Sequence, residues 1–220
     1  MKILFVSRGK LKSFKDSYES DGEDLILFGF NGMGVVSYEK ELKGESGFFE
    51  DAAMLSKTAK TTVVCGCITD TRGQRRKSAV IADNGRLCGV SDMLHSVDGE
   101  VGAGAALRVY ETKAGRMGVL VAEDIHFLDA VKSLALCGSD FIVCPFGRTM
   151  DSMQQVLVRA YAYAYGVPIL FCGDGYSMIA APDGSICFAS PHSPASFELE
   201  NVREYHLIET RRRGVFHLGE

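Results

Sequence analysis

No stretch of this sequence approaches the roughly 20 consecutive apolar residues that a membrane-spanning helix needs. The apolar start MKILFV (1–6) is too short for a signal-peptide core, so a cytoplasmic protein without a membrane partner is expected. An excess of positive charge is also missing. The 24 Lys and Arg residues are outnumbered by 28 Asp and Glu, for a net charge of -4, which argues against a nucleic-acid surface. The basic runs RGQRRK (72–77) and RRR (211–213) are short and read as solvated loops. The seven cysteines are odd in number, and Cys65 and Cys67 have no second pair at finger spacing, so no metal site is expected. Several sit inside apolar runs such as VVCGC and ILFCG, which suits buried, reduced thiols. The glycine-rich DGEVGAGA (98–105) lacks the G-x-G-x-x-G spacing of a dinucleotide loop; it reads as a flexible loop, and no cofactor is implied. Repeats, low-complexity segments and linkers are absent too, so residues 1–220 read as one domain.

What is present is an alternation of short apolar runs with amphipathic patterns, in a chain long enough to bury a substantial core. KILFV (2–6) and DLILFGF (24–30) read as buried strands, with a short helix near KSFKDSYES between them. SGFFEDAAMLSKTAK (46–60) reads as a helix whose late lysines suit its dipole, followed by the strand TTVVCGCI (61–68). SAVIA and RLCGV flank Asn84-Gly85, a pair suited to the positive φ angles of a tight hairpin turn. ALRVYET leads into a strand GRMGVLVA (115–122), a helix near 127–137, the strand DFIVCPF (140–146), a helix over 150–166 and the strand VPILFCG (167–173). A second hairpin turns at Pro182-Asp183-Gly184, and EYHLIET (204–210) reads as a last strand. Strands with hairpins between some neighbours and helices between others predict an α/β fold with sheets covered by helices.

Three separated blocks, in order, resemble the nitrilase or carbon–nitrogen hydrolase superfamily. DLILFGF is similar to that family's strand ending in Pro-Glu. SAVIADNGRLCGVSDMLH resembles its hairpin followed by Gly-x-Tyr-Arg-Lys-x-His. GRMGVLVAEDIHFLDAVKSLALCGSDFIVCPF resembles its strand ending in Cys-Tyr-Asp, with the helix and strand that follow. RAYAYAYGVPILFCGDGYSMIAAPDGSI adds a likeness to the family's Glu-Asn-Gly helix end, next strand and hairpin. The resemblance implies a four-layer α-β-β-α sandwich of two packed mixed sheets. It also implies homo-oligomers, and hydrolysis of non-peptide carbon–nitrogen bonds by a Glu, a Lys and a Cys.

Carried over residue by residue, the Glu falls on Phe30, the Lys on Met93 with Asp92 before it, and the nucleophile on Ala122. A second Glu falls on Ala164, with Tyr165 in place of the Asn. None of these side chains can replace the reactive group, and losing a nucleophile alone costs about 10⁶ in turnover. Glu123, Asp124, His126, Cys144, Arg148 and Cys172 are the remaining pocket candidates. Cys144 or Cys172 could form a relocated nucleophile with His126 and a carboxylate, although a small buried hydrophobe is the plainer role. Asp124 suits capping the helix it precedes, and Tyr161 and Tyr165 lie on one helical face, for a core or a subunit contact. The expectation is an inactive scaffold or small-molecule-binding homologue; an altered amidase with a relocated thiol is the alternative.

Overall fold

The computed structural model describes residues 1–96, 99 and 101–200. The first half builds from β1 (Lys2–Val6), α1 (Leu11–Ser17), β2 (Leu25–Phe28), β3 (Gly34–Ser37), α2 (Tyr38–Lys43) and α3 (Phe48–Ala59). It continues through β4 (Thr62–Thr71), β5 (Gln74–Asp83) and β6 (Arg86–Asp92). The second half holds β7 (Val109–Thr112), β8 (Gly115–Val119), a 3-10 turn (Ala122–His126) and α4 (Leu128–Leu136). After these come β9 (Phe141–Pro145), α5 (Ser152–Tyr165), β10 (Ile169–Gly173), β11 (Tyr176–Ala180), β12 (Ile186–Ser190) and β13 (Ala195–Glu198). The predicted strand at 204–210 lies outside the described residues.

The strands form two mixed sheets, ordered β13-β1-β2-β4-β5-β6 with β3 on β4, and β12-β11-β10-β9-β8-β7. Strand alternation separates three apolar layers. Phe5, Leu27, Val64 and Ile81 of one sheet meet Val119, Val143, Leu170 and Ile179 of the other in a central core. Ile26, Val63 and Val80 face Leu55 of α3, while Ile142 and Phe171 face Val131 and Leu134 of α4 and Val158 of α5. The result is the α-β-β-α layering that the sequence implies. The tyrosines at 161 and 165 are buried in the α5-side core. At the β5–β6 turn Asn84 and Gly85 both take positive φ, 47° and 82°, as a two-residue hairpin requires.

Three local readings change. Residues 74–77 of the basic run belong to β5 rather than to a loop, because Lys77 continues the inward alternation of Ala79 and Ile81. Residues 101–105 of the DGEVGAGA segment form no helix or strand but are tied down: Gly102 N donates to Arg75 O (2.8 Å) and Gly104 N to Met93 O (2.7 Å). The strand predicted over 115–122 stops at Val119, since Ala122 turns the chain with φ of 49°.

Candidate functional site

The three positions that the resemblance gives to a carboxylate, an ammonium and a thiolate lie together. Phe30, Met93 and Ala122 come from three loops and share the central core, each 5% exposed or less. Phe30 reaches it because its loop lies flat on β4: a Cβ on Gly66 would run into the Phe30 backbone, and Phe30 N donates to Phe146 O (3.3 Å). Gly104 crosses just above Met93, where a Cβ would come within 3.1 Å of the Met93 carbonyl. Ala122 is held in the left-handed region, which costs a non-glycine residue about 1 kcal/mol. The backbone therefore forms a sharp elbow at the sheet's end, carrying a methyl group.

Asp124 does not cap its own turn. It is fully buried and reaches across to the loop after β6, accepting from Leu94 N (2.8 Å) and His95 N (2.9 Å), with His95 Nδ1 at 3.0 Å. Capping is displaced because the 3-10 turn points this carboxylate at two amides of a neighbouring loop. Burial pushes the Asp124 carboxyl up despite these hydrogen bonds, which favour its charged form. His95 also stacks on Phe127. Together Asp124 and His95 lock the elbow to the loop that carries Met93.

The relocated-thiol residues are not gathered into a catalytic set. Cys144 points from β9 toward the helices, where its S–H faces Ala122 O at 4.0 Å, whereas Cys172 lies in the central core and donates to Leu27 O at 3.5 Å. Burial pushes both thiols far up, and at Cys144 the nearby Asp124 and Glu123 carboxylates act in the same direction. His126 is exposed and pairs with Gln154 Nε2 at 3.0 Å; Gln154 also accepts from Asp151 N in the capping box that starts α5. Arg148 is exposed beyond β9. No cluster of three or more metal-ligating side chains occurs among the described residues.

One polar pair escaped the sequence reading. Lys77 Nζ lies 2.7 Å from Glu123 Oε2, with the two side chains 21% and 10% exposed. Ser78 pairs with Asp92, and Met93 N donates to Lys77 O (2.8 Å), so Lys77 stands across from Met93 on the neighbouring strand. An ammonium and a carboxylate thus meet beside Ala122, from positions other than those the family pattern names. Removing one member strands the other where water is scarce. Lys77→Met should lower stability by about 2 kcal/mol, less than for a fully buried pair because Lys77 is partly solvated. The double variant Lys77→Met/Glu123→Gln should recover most of that loss in urea unfolding; equal loss in single and double variants would mean that packing, not charge, is at stake.

The same layered architecture occurs in solved structures. A Cys-to-Ala mutant of the nitrilase-superfamily amidase from Nesterenkonia AN1 superposes with TM-score 0.74 at 18% identity, covering 89% of this chain and 88% of that one. The NitN amidase of the same source gives 0.75 at 16% identity, covering 91% and 93%. Another structure of that amidase carries the acetamide moiety of fluoroacetamide covalently on its active-site cysteine. In sequence, a "probable nitrilase" of Schizosaccharomyces pombe is 23% identical over 186 residues, 74% of this chain and 67% of that protein. The "Hydrolase in pqqF 5'region" of Pseudomonas protegens is 33% identical over 87 residues, 34% of this chain and 30% of its own length. The carbon–nitrogen hydrolase family model matches residues 25–200, most of both sheets and their helices, and the chain belongs to that family.

Proposed function

We propose that this chain is a carbon–nitrogen hydrolase homologue that has given up thiol-dependent hydrolysis and acts as a scaffold or binds a small molecule. The observation that carries this reading is the merging of Phe30, Met93 and Ala122 into one buried apolar core. A thiolate, a proton-moving carboxylate and an oxyanion-stabilising ammonium are the needs of the family reaction; an aromatic ring, a thioether and a methyl group meet none of them. The altered-amidase alternative needs Cys144 or Cys172 as a thiolate, and both are buried with raised pKa. The Lys77–Glu123 pair favours the binding version of the proposal, because it leaves a charged and partly solvated contact beside the vacated position. We also propose one domain over 1–220 and a homo-oligomer; Met153 and Val156, three apart on α5 and 58% and 60% exposed, support a subunit contact there.

The test joins an activity screen to thiol labelling. Amides, nitriles and carbamoyl compounds should show no turnover above buffer. At neutral pH an alkylating reagent should modify only the exposed Cys88, Cys137 and Cys187 and leave Cys65, Cys67, Cys144 and Cys172 unreacted until the protein unfolds. Turnover abolished by Cys144→Ala or Cys172→Ala, with rapid labelling of that thiol, would establish the altered amidase. Turnover that survives both substitutions would sink both readings.

A further inference from the structure

A second site lies where β1 and β2 end. The loops after these strands and Asp174 enclose a cavity of about 210 Å³ lined by Ser7, Arg8, Lys10 and Asn31 among others. Ser7 is 5% exposed, and its Oγ has no hydrogen-bond partner among the described residues. A buried hydroxyl without a partner costs stability unless something fills its need. Lys10 Nζ donates to Asn31 O (2.7 Å), which leaves two of its three N–H bonds for another acceptor. Arg8 Nε stands 3.8 Å from Asp174 Oδ1, so Arg8, Lys10 and Asp174 leave one net positive charge at the cavity.

The wall is fixed before any ligand arrives. Arg8 N donates to Ser193 Oγ and the Ser193 hydroxyl donates back to Arg8 O, both at 2.9 Å. Gly175 N donates to Ser7 O (3.3 Å) and Leu11 N to Gly32 O (2.9 Å). A Cβ on Gly175, where φ is +69°, would run into the Arg8 guanidinium; the glycine keeps that group in place.

From this arrangement we propose that the cavity binds a tetrahedral oxyanion of the phosphate class, free or as the end of a small phosphate monoester. The available groups are a hydroxyl, an ammonium and a guanidinium, all of which donate to an anion's oxygens. At about 30 Å³ per water, the space holds about seven waters, enough for a phosphate with a short appendage. The proposal does not depend on whether the vacated position at Ala122 is inactive.

Calorimetric titration of the full chain with inorganic phosphate, at ionic strength held constant with sodium chloride, tests it. One saturable site is expected, with Tm rising in phosphate but not in chloride. Lys10→Met should weaken binding about tenfold or more, and Ser7→Ala several-fold, while Lys132→Met on the exposed face of α4 should leave it unchanged. Glycerol phosphate binding as tightly as phosphate or tighter would assign a monoester; tighter inorganic phosphate would assign the free ion. No saturable binding to the unsubstituted protein would overturn the proposal, as would equal weakening by Lys10→Met and Lys132→Met. If Lys10→Met does not fold, Ser7→Ala and the chloride comparison decide in the same way.

Discussion

Raising the pH from about 8 to about 10 is expected to remove about 5 kcal/mol of folding stability under reducing conditions. Cys65, Cys67, Cys144 and Cys172 are fully buried, and burial pushes every one of their thiols above the ordinary 9.0, Cys67 to about 12. Below pH 9 these groups are protonated in both folded and unfolded chains and contribute no slope. Above it the unfolded chain releases their protons while the folded chain retains them, so stability falls as pH rises. Each thiol accounts for about 1.4 kcal/mol per pH unit, and four together rival the whole stability of an ordinary domain. Tyr38, pushed up to about 12 chiefly by burial, adds to the decline above its usual range. Urea unfolding at a series of pH values checks this, and Cys144→Ala should take about one quarter off the slope. A flat profile up to pH 10 would mean that the buried thiols ionise in place.

Phe30→Glu should destabilise the protein by about 4 kcal/mol or more, against about 1 kcal/mol for Phe30→Leu. The ring fills the central core, packed on Gly147 at about 3.3 Å from where a Cβ would stand. A carboxylate there loses that packing and enters an apolar cluster without the partners it needs. Restoring all three family residues at once with Phe30→Glu, Met93→Lys and Ala122→Cys is therefore expected to fail by unfolding before its chemistry can be read. Ala122→Cys alone is the informative restoration, because the backbone already turns there. The urea midpoints of Phe30→Glu and Phe30→Leu provide the check; equal midpoints would show that the site has room for a charged side chain.

The architecture was legible because each apolar strand run is short and bounded, and because Asn84-Gly85 and the second hairpin carry their turn chemistry openly. Motif order placed the family pattern's reactive positions on Phe30, Met93 and Ala122, and the fold gathers those three side chains into one core. Lys77 was not legible. In sequence it closes a run of basic residues, and only β-strand alternation sets it inward with Ala79 while Arg76 faces the other way, toward Asp92. Asp124 was misread for a related reason: a carboxylate before a helix suits its own amides, yet a 3-10 turn aimed it at the amides of Leu94 and His95. Ser7 left no signal at all, since an unpartnered hydroxyl is a property of packing rather than of spacing.

The flat seating of residues 29–32 has a mechanical side. Gly29 would meet the carbonyls of Gly173 and Ser7 through a Cβ at 3.2 and 3.3 Å, Gly32 would run into Cys65, and Gly66 lies against the backbone of Phe30. Main chain rests on main chain at Gly29 and Gly66, and at Gly32 it rests on the short Cys65 side chain, so little between them can bend. Close-packed interiors compress little and pass strain along. A push on this loop from the Ser7–Lys10 side therefore travels to β4 and to the end of β10, so the floor beneath Phe30 and the wall of the neighbouring cavity move together.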